Sequence, residues 1–131
     1  MGKKILFVFY AVVCMFIYSG CFAVKQPIHN VENASIANSK DISQAQIEQV
    51  ILEAGAELGW KISKIKDGLI VAILTPPSYM VVIDIKYDAS TYSITYRDGA
   101  NLQYDGDNID KNYNKWIKSL DEAIQKKLLL V

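Results

Sequence analysis

Asp105, Asp107 and Asp110 fall in one short run, YDGDNIDKNYNKW (Tyr104–Trp116), beside Asn108, Asn112, Asn114, Tyr113 and Trp116. Carboxylates this close can do two kinds of chemistry. They can collect oxygen ligands around a hard cation. Alternatively, two of them can hydrolyse a glycosidic bond when held about 5–9.5 Å apart across a cleft. A calcium loop starting at Asp105 needs oxygen ligands at its first, third and fifth positions, Gly at the sixth and Glu at the twelfth. The chain has Ile109, Asp110 and Trp116 at the fifth, sixth and twelfth, so that pattern fails. A simpler role is structural. The first-turn amides of a helix lack partners, and the dipole there favours negative charge. Asp107 or Asn108 can cap such a helix, Asp110 then sits in its first turn, and Gly106 permits the preceding bend. Asn112 and Asn114 either bond back to the loop DGANLQY (98–104) or join Asp105 and Asp107 in a small polar recognition patch.

Other chemistries find few residues. The sole histidine, His29, lies in a stretch without periodicity, and no Cys–His pair, G-x-S-x-G elbow or phosphate-cradling glycine loop is present. No catalytic residue, metal ligand set or cofactor site is assigned.

The elements around this run start with the N-terminus. Lys3 and Lys4 precede an unbroken apolar run, Ile5–Ile17, and small residues Ser19 and Gly20 precede Cys21. This is the anatomy of a signal peptide over residues 1–20, short for a membrane span of about 20 apolar residues. The sequence YSGC (Tyr18–Cys21) resembles the lipobox of bacterial lipoproteins, with Tyr18 where that family usually carries Leu or another aliphatic residue. The resemblance implies cleavage before Cys21 and attachment of acyl chains such as palmitate to it. Because each buried methylene contributes about 0.8 kcal/mol, two or three chains anchor a protein stably where one does not. Phe22 stands where an aspartate would signal inner-membrane retention, so the expected site is the outer membrane facing the periplasm.

The chain has 14 basic and 14 acidic residues; without Lys3 and Lys4 the balance is 12 against 14, a net charge of −2. No basic stripe supports nucleic-acid binding. Cys14 leaves with the signal peptide, so the mature chain cannot form an internal disulfide. Residues 21–41 carry Pro27 and many small polar residues and are expected to be a lipidated, flexible tether. Residues 42–131 are expected to form one domain.

Within that domain, Ser43 and Gln46 form a capping box, with Ile42 and Ile47 as a hydrophobic staple. Ile47, Val50, Ile51, Ala54 and Leu58 then follow helical spacing up to Gly59, the expected residue after the cap. Four strands follow in the runs WKISKIK, LIVAILT, YMVVIDIKY and TYSITYR. The first pair is joined by Asp67-Gly68, a two-residue hairpin signal. A last helix from about Ile109 to Leu128 carries Ile109, Tyr113, Trp116, Ile117, Leu120 and Ile124 on one stripe.

The predicted fold is α+β: a two-layer sandwich of order α-β-β-β-β-α, with a four-stranded antiparallel meander and both helices on one face. Alternation assigns Trp60, Ile62, Val71, Ile73, Val81, Ile83, Ile85, Tyr92, Ile94 and Tyr96 to the helix-covered face. It assigns Lys61, Ser63, Asp84, Lys86, Ser93, Thr95 and Arg97 to the other. An apolar group, Ile70, Ala72, Leu74, Met80 and Val82, is also expected on that outer face.

From Gly59 onward, GW (Gly59-Trp60), YSITY (Tyr92–Tyr96), NLQYDG (Asn101–Gly106) and NYNKWI (Asn112–Ile117) are similar to a family of small bacterial lipoproteins, itself largely uncharacterised. The resemblance implies an envelope lipoprotein with an α+β sandwich and implies no activity. The expected function is a non-enzymatic, lipid-anchored accessory or binding module. It would be held to the membrane at Cys21 and contact an envelope protein partner or a second copy through the outer apolar group. The alternatives are a small envelope hydrolase using the carboxylates of Asp105–Asp110, or a structural component of an envelope complex.

Overall fold

The computed structural model describes residues 24–36 and 41–131; the expected signal peptide and Cys21 lie outside them. The fold is α+β, with a five-stranded antiparallel sheet, a two-stranded sheet and two helices. In chain order the elements are β1 (Lys25–Pro27), β2 (Val31–Ser35), α1 (Gln44–Glu57), β3 (Lys61–Lys66), β4 (Leu69–Leu74), β5 (Met80–Tyr87), β6 (Thr91–Ala100), β7 (Asn108–Asp110) and α2 (Lys111–Leu128). The large sheet has the order β2-β6-β5-β4-β3, and β1 pairs with β7.

Both β1 and β2 lie in the stretch expected to be a tether. That expectation fails over the described part of residues 21–41. Val31 pairs with Ile94 and is buried, and Ile36 is buried beside it. β2 thereby supplies backbone partners to β6, which would otherwise be a long bare edge. β1 is held against β7 and the start of α2, where Lys111 N–H donates to Val24 O at 2.9 Å.

The α1 start is as its sequence predicts. Ser43 Oγ accepts from Gln46 N–H, and Gln46 Oε1 accepts from Ser43 N–H at 2.9 Å. Such a cap contributes on the order of 1 kcal/mol. Ile42 and Ile47 are both buried, and Ile47, Val50, Ile51 and Ala54 face the core. Leu58 belongs to the cap and is exposed, contrary to its place in the predicted stripe. Gly55 lets α1 lie close on β3: a Cβ there would collide with the Ile62 side chain.

The helix-covered face of the sheet packs Val81, Ile83, Ile85, Tyr87, Tyr92 and Ile94 against Tyr113, Ile117, Leu120 and Ile124 of α2. One polar tie crosses this core: Tyr92 OH bonds Asp121 and accepts from Gln125 Nε2 at 2.7 Å. At the edge, Glu48 of α1 accepts from Tyr87 OH at 2.7 Å and pairs with Lys64 at 3.2 Å. Lys127 of α2 meets Glu57 of α1 at 2.7 Å.

The β3–β4 hairpin differs from its predicted register. A two-residue loop with both central φ angles positive would pair Ile62 with Ile73. Of Asp67 and Gly68, only Gly68 has positive φ, 83°. The hairpin instead takes a bulge at Ile65, and Ile62 pairs with Ala72. A one-residue slip exchanges the faces of a strand. Ile70 and Ala72 are therefore fully buried under the helices, whereas Val71 and Ile73 turn outward.

Candidate functional site

The acidic run is a junction in the fold, where the side chains of Asp105, Asp110, Asn112 and Asn114 are each hydrogen-bonded. Asp105 accepts from Asp107 N–H at 3.0 Å and Asn108 N–H at 2.8 Å, closing the turn that feeds β7. Its other oxygen pairs with Lys25 of β1 at 2.7 Å. The lysine, then the two amides, hold this carboxyl well below the usual carboxylate range. Asp107 is exposed, and its carbonyl accepts from Ile28 N–H at 3.0 Å. The α2 cap is Asp110, which accepts from Asn112 N–H at 2.8 Å. Asp107 and Asn108 were the expected caps, but Asn108 and Ile109 are drawn into β7 by pairing with β1.

Asn112 and Asn114 do not bond back to the 98–104 loop. Asn112 Nδ2 donates to Tyr79 OH at 3.4 Å. Asn114 is buried, accepts from His29 N–H at 2.8 Å, and donates to Pro27 O at 3.0 Å and Gln26 Oε1 at 3.3 Å. Asp105 and Asp107 face solvent while Asn114 faces inward, so the four residues do not form one outward patch. Among the described residues no group of three or more His, Cys, Asp or Glu side chains could hold a metal ion.

A buried phenol lies behind this junction. Tyr113 is fully enclosed, its hydroxyl has no hydrogen-bond partner among the described residues, and its ring meets Tyr96 edge-on with centroids 5.7 Å apart. Burial pushes its ionisation above the ordinary tyrosine value. Tyr104, itself half exposed, lies over Tyr96 at 4.3 Å.

The other candidate is the outer face of the large sheet. Both helices lie on the opposite face, so among the described residues no helix covers this one. Ile70, Ala72 and Leu74, expected here, are on the helix side with Ile85, Ile83 and Val81. Met80 and Val82 are on the outer face as expected, and Val71 and Ile73 replace the misplaced three. Ile73 is 36% exposed, and Val71, Met80 and Val82 are half-buried.

Strand pairing arranges this face in rows. Lys61, Ile73, Val82 and Asp98 form one row across β3, β4, β5 and β6. Ser63, Val71, Asp84 and Thr95 form the next, with Asp84 bonded by Arg97 at 2.9 Å. The far end is polar: a shallow groove of about 760 Å³ there is bordered by Lys66, Lys86 and Ser93. Ile73 and Val71 could have been found from the sequence only by anticipating the Ile65 bulge, and Asp98 only by anticipating a second bulge, at Arg97, opposite Val82 and Ile83.

No family model, curated protein or solved structure matches the chain.

Proposed function

We propose that this chain is a lipid-anchored, non-enzymatic accessory protein of the bacterial envelope that docks a protein through the apolar end of its outer sheet face. The carrying observation is the uncovered cluster of Val71, Ile73, Met80 and Val82 on the face opposite both helices. A contiguous apolar area of this kind marks a contact surface. Its surroundings suit a protein better than a bilayer. The rim carries Lys61 and Arg97 beside Asp84 and Asp98, charges of both signs around an apolar centre, as protein interfaces do. An anionic membrane surface would call for a uniformly basic rim.

Anchorage rests on the signal-peptide anatomy and on YSGC. The fold adds a geometric consequence. Because β1 begins at Lys25, only three linkages separate Cys21 from Val24, a reach of at most about 11 Å. An acylated Cys21 would hold the domain close against the membrane, with β1, β7 and the start of α2 nearest to it. Among the described residues no helix is long and apolar enough to cross a membrane.

A photocrosslinking side chain at Ile73 tests the docking in cells. The expected result is a discrete adduct that the Val82→Asp variant loses while its circular dichroism is unchanged. Reaction at Ile73 no greater than from a probe at exposed Lys118 of α2 would refute docking. Cys21→Ala should abolish acyl labelling, and persistent labelling would overturn the anchor.

A further inference from the structure

The outer face is self-complementary, and we propose that its occupant is a second copy of this chain, related by a two-fold axis running along the strands between β4 and β5. This rests on the docking reading above and names its partner. The carrying observation is the row Lys61–Ile73–Val82–Asp98. It is apolar in the middle and oppositely charged at its two ends. A two-fold axis parallel to the strands, lying over the middle of the row, stacks one sheet on the other and reverses the row. Lys61 of one copy then faces Asp98 of its mate, Asp98 faces Lys61, and Ile73 faces Val82. A two-fold contact needs this pattern, in which residue i meets j and j meets i.

The neighbouring row follows the same symmetry. Ser63 comes opposite Thr95, two hydroxyls able to bond each other, and Val71 comes opposite Asp84. Arg97 already holds Asp84 at 2.9 Å, so that carboxylate does not enter the contact unpaired. Lys61 and Asp98 are both exposed, and neither has an ion-pair partner among the described residues. Asp98 accepts only from its neighbour Gly99 N–H, at 2.8 Å, which leaves it oriented on the rim. Two sheets stacked about 10 Å apart would bury Ile73 and Val82 from both copies and bring the rim charges together.

Charge exchange tests this with the full mature chain in sedimentation equilibrium over a range of protein concentrations. The parent protein is expected to dimerise reversibly. K61E and D98K should each weaken their own dimer by roughly tenfold or more, because each turns both attractive rim pairs into repulsive ones. Mixing K61E with D98K should restore a dimer of parent affinity, since both rim pairs are then attractive again. The double variant K61E/D98K should also dimerise as the parent does. Both side-chain changes lie at exposed positions, and circular dichroism checks that each variant folds.

A monomeric parent at every concentration overturns the second-copy assignment. So does a dimer indifferent to both single reversals, or one that mixing fails to restore. The two readings separate cleanly. Crosslinks from Ile73 to a chain of another mass, with a monomeric parent, would retain docking and remove self-association. A crosslink at twice the chain mass, lost in K61E and recovered on mixing, supports both.

Discussion

Asn114 is the residue on which the attachment of the N-terminal strand turns, and its removal gives a measurable prediction. Its side chain accepts from His29 N–H at 2.8 Å and donates to Pro27 O at 3.0 Å and Gln26 Oε1 at 3.3 Å. Asn114→Ala deletes all three bonds and leaves two backbone groups without their partners. At about 1 kcal/mol for each bond, with more for any group left dry, the loss should be about 2–4 kcal/mol. For a domain of this size each kcal/mol lowers Tm by about 4–8 °C. Urea unfolding measures the first quantity and hydrogen exchange at the His29 amide locates it. Asn114→Asp dissects the effect. It keeps the acceptor for His29 but turns an oxygen towards Pro27 O. Burial and that carbonyl raise the folded pKa of the introduced carboxyl. The variant is then most stable below the ordinary aspartate value of about 3.9 and loses stability as pH rises through the folded one. A loss under about 0.5 kcal/mol for Asn114→Ala, or unchanged protection of the His29 amide, would refute the account.

The bulge at Ile65 predicts an inequality: Ile70→Ala should cost about 2–5 kcal/mol, whereas Ile73→Ala, on the outer face, should cost well under half of that in unfolding experiments on the isolated monomer. In alkali, Tyr92 and Tyr113 should ionise only as the fold is lost. Burial raises both phenols, and Asp121 adds to it at Tyr92 alone, so their contribution is complete below the ordinary tyrosine value of about 10 and lost as pH climbs from there. Phenolate absorbance followed with circular dichroism checks this, and ionisation of every tyrosine in the native state would contradict it. In acid the sign reverses for Asp105, whose folded pKa is depressed by Lys25 and two amides. Its contribution is present above the ordinary carboxylate range and is lost as pH falls towards the folded value, so Asp105→Asn should flatten the acid limb of stability against pH.

Most of the fold was legible because local signals and burial agreed. The Ser43–Gln46 capping box, the stripe from Ile47 to Ala54 and the α2 stripe from Tyr113 to Ile124 each repeat at helical period and each pack on the core. The alternation of β5 and β6 was legible for the same reason, with Val81, Ile83 and Ile85 inside and Asp84 and Lys86 outside. The two short strands β1 and β2 were not. Three and five residues are too few to display a period, and their partners are remote in sequence: Ile94 for Val31, Ile109 for Gln26. The signal for β1 lies in the side chain of Asn114, a poor helix former placed inside a helix. An asparagine there needs a tertiary reason, and this one replaces the missing backbone partners of the strand beside it.

The misread face of β4 has a single physical origin. Every residue of that strand is apolar, so Leu69 to Leu74 contains no alternation from which to read a side. The side had to be inferred from β3 across the turn, and an inference of that kind is only as good as the residue count through the hairpin. One extra residue, Ile65, reverses it. The consequence for function is specific. Without the bulge, Lys61 would have stood beside Leu74, and Ile70, Ala72 and Leu74 would have been the outward residues of the strand. With Val71 and Ile73 outward, the same strand stands between Lys61 and Asp98, and the surface acquires a polarity that a two-fold axis can satisfy. The bulge therefore sets more than which methyl groups are buried; it sets which partner geometry the face can accept.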